Sequence, residues 1–238
     1  MKAAWTWGLA FCWLAQPALA GPPYVTDDPE TTDYKHYEIY AFADGVKTRD
    51  GKEGEAGVDF NYGATPDLQL TAVLPLAYER DVGARTVDGL GNVELAAKLR
   101  VLHQDKFGWD VAVFPRVFLP SGSHKVGDRH GALLLPVWVG KTIGKWSTFG
   151  GGGCELNRGG GALGWALTRD VTARLHAGAE IYHQSADTKG GEPTSGLGAG
   201  VVYDLSPHYH LLASAGPGIQ NAAETDRNSW YAAMLFTF

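Results

Sequence analysis

Hydrophobic and polar residues alternate along most of this chain. In residues 68–79, Leu68, Leu70, Ala72, Leu74, Leu76 and Tyr78 share one face of an extended segment, and Gln69, Thr71, Val73, Pro75, Ala77 and Glu79 share the other. Residues 171–184 repeat the arrangement: Val171, Ala173, Leu175, Ala177, Ala179 and Ile181 oppose Thr172, Arg174, His176, Gly178, Glu180 and Tyr182. The last ten residues, SWYAAMLFTF, place Trp230, Ala232, Met234, Phe236 and Phe238 on one face, so the final residue belongs to a strand. Segments of this period predict strands with one apolar face and one polar face. Twelve follow: roughly 34–45, 53–64, 68–80, 91–102, 109–120, 132–143, 146–156, 161–168, 171–185, 195–204, 208–220 and 229–238. Residues 132–143 are apolar on both faces, and their orientation is ambiguous.

The connections alternate in length. Thr65-Pro66-Asp67, 103–108, Gly144-Lys145, Arg169-Asp170 and Leu205-Ser206-Pro207 are short; 46–52, 81–90, 121–131, 157–160, 186–194 and 221–228 are mostly longer. An even strand count with this alternation predicts an all-β chain folded as a closed antiparallel up-and-down transmembrane β-barrel. Its short turns are expected to face the periplasm and its longer loops the exterior. A β-sandwich also has alternating strands, but it has no use for charged inner faces or an aromatic C-terminal strand. Closure leaves no unpaired sheet edge in lipid, so the last strand is expected to pair with the first. Trp109, Trp146, Tyr203, Tyr209 and Phe236 fall beside the short turns or the C-terminus and Trp230 at the opposite end, as in two membrane-interface girdles. Phe238 is expected to be the signal read by the barrel assembly machinery.

The chain begins MKAAWTWGLAFCWLAQPALA: a positive Lys2, a short apolar run, and Ala18-Leu19-Ala20 as a cleavage site. Residues 1–20 are therefore expected to be a removed signal peptide, with 21–33 a periplasmic or lumen segment and 34–238 the barrel. Removal takes the formal charge from −6 to −7 and leaves Cys154 alone, so no intrachain disulfide can form. The mature chain has no basic block, which argues against nucleic acid as a partner, and no apolar run long enough for a membrane helix. The expected location is the bacterial outer membrane, with lipid, the assembly machinery and small solutes as partners.

Five stretches carry a family resemblance: GPPYVTDDPE (21–30), NYGATPDLQLTAVLPL (61–76), GLGNVELAAKLR (89–100), FPRVFLPSG (114–122) and LPVWVGKTIGKWSTFGGGG (135–153). Together with the C-terminal strand they resemble a family of outer-membrane porin-like transporters linked to a meta-pathway of phenol degradation. The resemblance implies a barrel in the outer membrane and brings no catalytic residues with it.

The polar faces carry Glu38, Asp59, Glu94, Lys98, Arg100, Asp110, Arg116, Glu155, Arg174, His176 and Glu180, which are expected to line the lumen. Polar walls replace part of a solute's hydration, and charged rings set ion preference. The sequence therefore predicts a channel for passive diffusion of small solutes, including aromatic or hydrophobic compounds, with no cofactor and no metal. If Arg100 faces Asp110 across the hairpin of 91–102 and 109–120, then Glu94 faces Arg116, leaving Lys98 unpaired. Two other classes compete. A lipid hydrolase would use His183 and Ser185, placed on the lipid face near the outer rim, but the next strand offers no Asn or Glu to orient the imidazole. A structural barrel would transport nothing. FGGGGCELNRGGG lacks the Lys-Ser/Thr of a phosphate loop, so Gly150 to Gly153 are expected to relieve curvature or leave lumen space. His124, Asp128 and His130, or the acidic group Asp27, Asp28, Glu30 and Asp33, lack any defined metal-ligand spacing.

Overall fold

In the computed structural model, residues 23–126, 130–156, 160–186, 192–223 and 225–238 are described; the signal-peptide expectation falls outside them. Fifteen strand segments follow one another: β1 (Tyr37–Lys47), β2 (Gly51–Thr65), β3 (Leu68–Asp81), β4 (Val87–Leu90), β5 (Glu94–Leu102), β6 (Asp110–Val113), β7 (Arg116–Phe118), β8 (Ala132–Ile143), β9 (Trp146–Glu155), β10 (Gly161–Asp170), β11 (Leu175–Gln184), β12 (Thr194–Ser206), β13 (Tyr209–Gly216), β14 (Gly218–Gln220) and β15 (Asn228–Thr237). Three pairs of segments, β4/β5, β6/β7 and β13/β14, are single wall strands interrupted once. Pro115 breaks β6/β7 and Pro217 breaks β13/β14, because proline has no N–H for the ladder. The wall thus has twelve antiparallel strands. It closes where β15 pairs β1 from Glu38↔Thr237 to Lys47↔Asn228, and where β3 pairs β5 from Leu68↔Leu99 to Val73↔Glu94.

The period-two pattern fixes the two surfaces. Leu70, Leu74, Leu76, Leu163, Trp165, Leu167, Ile181 and Leu197 all point outward and are exposed. A band of this kind is stable only against an apolar medium. Within β8, Leu135 and Val137 face outward, while Trp138 is only 5% exposed and points in. That orientation was ambiguous from hydropathy alone. The interior also holds Tyr40, Phe149, Leu212 and Leu235, with Tyr40, Leu212, Ala233 and Leu235 packed as one cluster.

Three local expectations are corrected. Residues 171–174 are not strand: Val171 and Thr172 donate backbone N–H bonds to Leu175 O at 2.9 and 3.1 Å, and the Thr172 hydroxyl accepts from Arg174 N and Leu175 N. Such a hydroxyl-closed turn competes with the ladder, and it leaves Arg174 exposed outside the wall strands. The connection 103–108 contains a single helical turn, α1 (Gln104–Phe107), ended by Gly108 at φ 81. The hairpin around α1 has a different register from the one expected. Arg100 faces Ala112 and Glu94 faces Phe118, with a bulge between Arg100 and Leu102. The extra turn and bulge shift every pair.

Candidate functional site

The barrel interior is crossed by the chain's own N-terminal segment. Residues 23–33 run from β10–β12 on one side to β2 and β3 on the other, held by side chains that point in because of strand parity. Glu180 of β11 accepts from Val25 N at 3.0 Å, Thr26 N at 2.9 Å and the Thr26 hydroxyl at 2.7 Å. Lys98 of β5, 2% exposed, donates to an Asp27 carboxylate oxygen at 3.0 Å and to Asp28 O at 3.1 Å, and lies 4.9 Å from the Phe114 ring centroid. Gln69 of β3 accepts from Thr32 N at 2.9 Å and its amide nitrogen donates to Asn61 at 2.7 Å and Thr71 at 3.0 Å. Thr26, Asp28, Thr31 and Thr32 are all buried.

The wall makes room for this segment with glycine. A Cβ on Gly164 would lie 2.1 Å from Thr26 Oγ1, and one on Gly140 would lie 2.8 Å from Pro29 Cδ. Gly63, Gly178 and Gly200 are approached in the same way by Asp33 O, Tyr24 Oη and Tyr24 Cε1. Burial pushes the Asp28 carboxyl up to about 8 against the opposing pull of Lys98, and burial raises the Tyr24 phenol further above its ordinary range.

The expected lumen residues are placed as follows. Glu38 is 4% exposed and accepts from Tyr40 at 3.4 Å. Asp59 accepts from Asn61 at 3.0 Å. Arg116 grips Glu94 with two bonds of 2.7 and 2.8 Å, a diagonal contact across the shifted register. Arg100 sits at the short-turn end near Asp67, 3.9 Å away. Asp110 accepts from Gln104 N at 3.0 Å and does not meet Arg100 in register. Glu155 borders an inner cavity of about 300 Å³. His176 bridges Asp170 at 2.7 Å and Asp204 at 3.1 Å, and Asp204 also reaches His210 at 2.7 Å. Lys98 is paired with Asp27, correcting its expected isolation: its partner comes from outside the wall, where strand pairing gives no information.

On the outer surface, Trp109, Trp146, Tyr203 and Tyr209 are 40%, 46%, 43% and 43% exposed at the short-turn end, and Phe236 packs edge-on against Tyr209 at 5.7 Å. Lys141 lies over Trp109 at 5.5 Å and Arg169 over Trp146 at 5.0 Å. Trp230, 44% exposed, sits at the other end beside Tyr78, both close over Gly45. Phe238 exchanges two backbone bonds with Tyr37, of 3.0 and 2.9 Å, at the β1–β15 seam.

His183 and Ser185 are not brought together. His183 Nδ1 lies 2.9 Å from the Ser195 hydroxyl, which donates to Gln220 at 2.8 Å, while Ser185 borders cavities inside the barrel. β11 ends at Gln184 and Ser185 keeps one ladder bond, its N–H to Gly161 O at 2.8 Å, while the His183 ring turns to Ser195 instead. Of the loop trio His124, Asp128 and His130, Asp128 lies outside the described residues. Among the described residues no group of three His, Cys, Asp or Glu is placed to hold a metal.

Two larger cavities lie on either side of the segment. One of about 810 Å³ opens at the long-loop end over Pro23, Tyr24 and Val25. The other, about 390 Å³, lies at the short-turn end beside Asp28, Pro29 and Glu30, with Asp110 and His176 on its wall. The sequence family described as "Putative MetA-pathway of phenol degradation" matches residues 42–227, which is most of the wall. The chain belongs to this family. Among solved structures, this phenol-degradation family member is similar to the COG4313 outer membrane channel from Pseudomonas putida F1, with a TM-score of 0.69, 13% identity, and 89% of this chain and 98% of that chain covered. It is more distantly similar to outer membrane phospholipase A from Escherichia coli, with a TM-score of 0.46 and 10% identity over 87% of this chain and 94% of that one, a likeness too low to carry an argument. No curated protein sequence matches the chain. At these identities the structural likeness shows the fold: a closed barrel of the outer-membrane type.

Sequence reasoning missed the glycine track and the Asn61–Gln69–Thr71 network. Both left a signal: small or uncharged polar residues at positions whose parity points inward.

Proposed function

We propose that this chain is an outer-membrane channel for passive diffusion of small solutes, with residues 23–33 setting its narrowest point. The observation that carries the reading is the pair of cavities, one toward each end of the closed wall, with that segment lining both. The exposed apolar band and the aromatic residues at both ends fit insertion in lipid, and Phe238 at the seam fits recognition by the assembly machinery. The family's link to phenol degradation and the channel fold of the Pseudomonas protein support the class, and small aromatic compounds are the cargo they favour. Polar and apolar inner surfaces occur together, as a pathway for amphipathic solutes requires. A hydrolase at His183 is not favoured, because among the described residues its Nε2 has no group to orient it. The test is planar-bilayer conductance of refolded protein, alongside a variant in which the segment is displaced. Conductance that rises on displacement supports the channel. Silence from both proteins overturns it in favour of a structural barrel.

A further inference from the structure

The outward face of β15, β1, β2 and β3 changes character twice toward the long loops. Through the middle of the wall it is apolar: Val58 and Leu74, directly opposed, are 41% and 59% exposed. A rung near the rim then sets Trp230 opposite Gly45 and Tyr78 opposite Gly54. The two aromatic side chains close over the glycines, since a Cβ on Gly45 would lie 2.9 Å from both Trp230 Nε1 and Tyr78 Oη. Two residues further out on each strand, Lys47 faces Asn228 on one side and Lys52 on the other, and Lys52 faces Arg80. Lys47, Lys52 and Arg80 lie an even number of residues from Ala41, Val58 and Leu74, which oppose one another, so all share the outward face. The three cations are exposed. Like charges directly opposed destabilise a sheet. Here three stand in a row on adjacent strands, and among the described residues none has a hydrogen-bond or ion-pair partner for its cationic group. Glu53, Glu79 and Asp81 adjoin them in sequence but have the opposite parity and border the long-loop cavity, whose mouth Lys52 also borders at the rim. Asp88 of β4, opposite Tyr78, lies one rung lower.

We infer that the Lys47–Lys52–Arg80 rung docks the phosphorylated sugar head group of a lipopolysaccharide in the outer leaflet. Charge and height both fit. Trp and Tyr mark the level of the membrane–water interface, so the rung just beyond Trp230 and Tyr78 stands among the lipid head groups. Lys and Arg clustered at that level attract anionic head groups. Adjacent strands are about 4.8 Å apart, so the row spans about 10 Å. One phosphate can bridge two of the cations, and the third calls for a second phosphate. A diphosphorylated glycolipid carries both on one head group, and its acyl chains then lie along the apolar wall below. Its charge also offsets the repulsion along the rung. The inference rests on insertion in the outer membrane with the long loops outward, which is part of the function proposed above, and not on conduction.

The test is native mass spectrometry of refolded full-length protein in detergent, with diphosphoryl lipid A, phosphatidylglycerol and phosphatidylethanolamine as probes. Diphosphoryl lipid A is expected to be retained saturably, phosphatidylglycerol more weakly and phosphatidylethanolamine not at all. Lys52→Gln removes the central cation and is expected to weaken retention of diphosphoryl lipid A about tenfold or more, the loss of a charge-assisted bond. The triple variant Lys47→Gln, Lys52→Gln, Arg80→Gln is expected to abolish it. The pair Lys141→Gln, Arg169→Gln, at the short-turn end, is expected to change nothing. Heat-modifiability checks that each variant folds. A second reading needs no variant: diphosphoryl lipid A is expected to raise the unfolding temperature of the wild type, and the rise to shrink as salt is added. Equal retention by the wild type and the triple variant, an equal loss in the Lys141 and Arg169 variant, or a rise that salt leaves untouched overturns the docking surface. Equal retention of phosphatidylglycerol overturns the assignment to a diphosphorylated head group. Conductance of the same proteins separates this claim from the channel: a conducting wild type that retains no lipid A sinks the docking surface alone, and retention without conductance sinks the channel reading alone.

Discussion

At the scale of single residues, the most consequential positions are those where the wall touches the N-terminal segment. Gly164 has no side chain because Thr26 occupies its space, with the Thr26 hydroxyl only 2.1 Å from where a Cβ would stand. Thr26 is itself 1% exposed and bonded to Glu180, so a side chain at position 164 fits only if Thr26 and its segment leave. Gly164→Leu is therefore expected to expel the segment locally while leaving the β10 ladder intact. Its signature is higher single-channel conductance with a normal heat-modifiable band. Lys98 acts by charge. Replacing it with Met removes the ion pair to Asp27 and the bond to Asp28 O, and so loosens the hold of β5 on the segment. The wall does not depend on that contact. Lys98→Met is thus expected to raise conductance too, and Lys98→Arg to stay close to the wild type. Conductance equal to wild type in both Gly164→Leu and Lys98→Met would show that the segment does not set the narrowest point. Lys98 itself was readable as an inward charge from its place on β5. Its partners were not, since Asp27 is separated from it by 71 residues with no ladder between them.

At the scale of elements, the strands followed from alternation almost everywhere, because a period of two has only one structural meaning in an extended chain. The failures are local and have local causes. The turn before β11 is closed by the Thr172 hydroxyl, and the hairpin at α1 is reset by one helical turn and a bulge. The register shift did not destroy the Glu94–Arg116 pair, because an Arg side chain is long enough to reach diagonally across to the neighbouring strand. The seam is the element on which closure depends. Phe238 supplies both a donor and an acceptor to Tyr37, at the last rung of the β1–β15 pairing. Deleting Phe238 is expected to leave synthesis and export unchanged but to reduce the folded, heat-modifiable form in the membrane. Normal levels of that form after deletion would refute a role for this residue in assembly.

At the scale of the whole molecule, charge is distributed unequally along the barrel axis. The long-loop cavity is acidic, and Arg116 stands at the meeting point of the inner spaces, bordering the 810, 300 and 220 Å³ cavities at once. Arg116→Glu removes a cation there and sets a second carboxylate beside Glu94, so the field becomes more negative along the whole path. The expected result is a reversal potential shifted toward cation selectivity under a salt gradient, greatest at low ionic strength where screening is weak. Arg116→Gln is expected to shift it by less. If neither variant moves the reversal potential while both barrels fold, ions do not pass Arg116.

Alternation, strand count and an aromatic C-terminal strand were enough to specify a closed twelve-stranded wall, because each is a one-dimensional property set by neighbours in the chain. The same parity marks Glu94, Lys98, Arg116 and Glu180 as inward-facing candidates. What the tertiary structure alone decided was what those inward groups meet. Residues 23–33 carry no periodicity, so their sequence allowed a periplasmic or a lumen segment without deciding between them, and only the fold sets them against Gly164, Glu180, Lys98 and Gln69. Likewise Asp226 is one acid among many until the fold buries it beside Tyr182, 44 residues away. Such partnerships arise only when closure brings opposite walls within hydrogen-bond reach, and that distance is not written in the order of the residues.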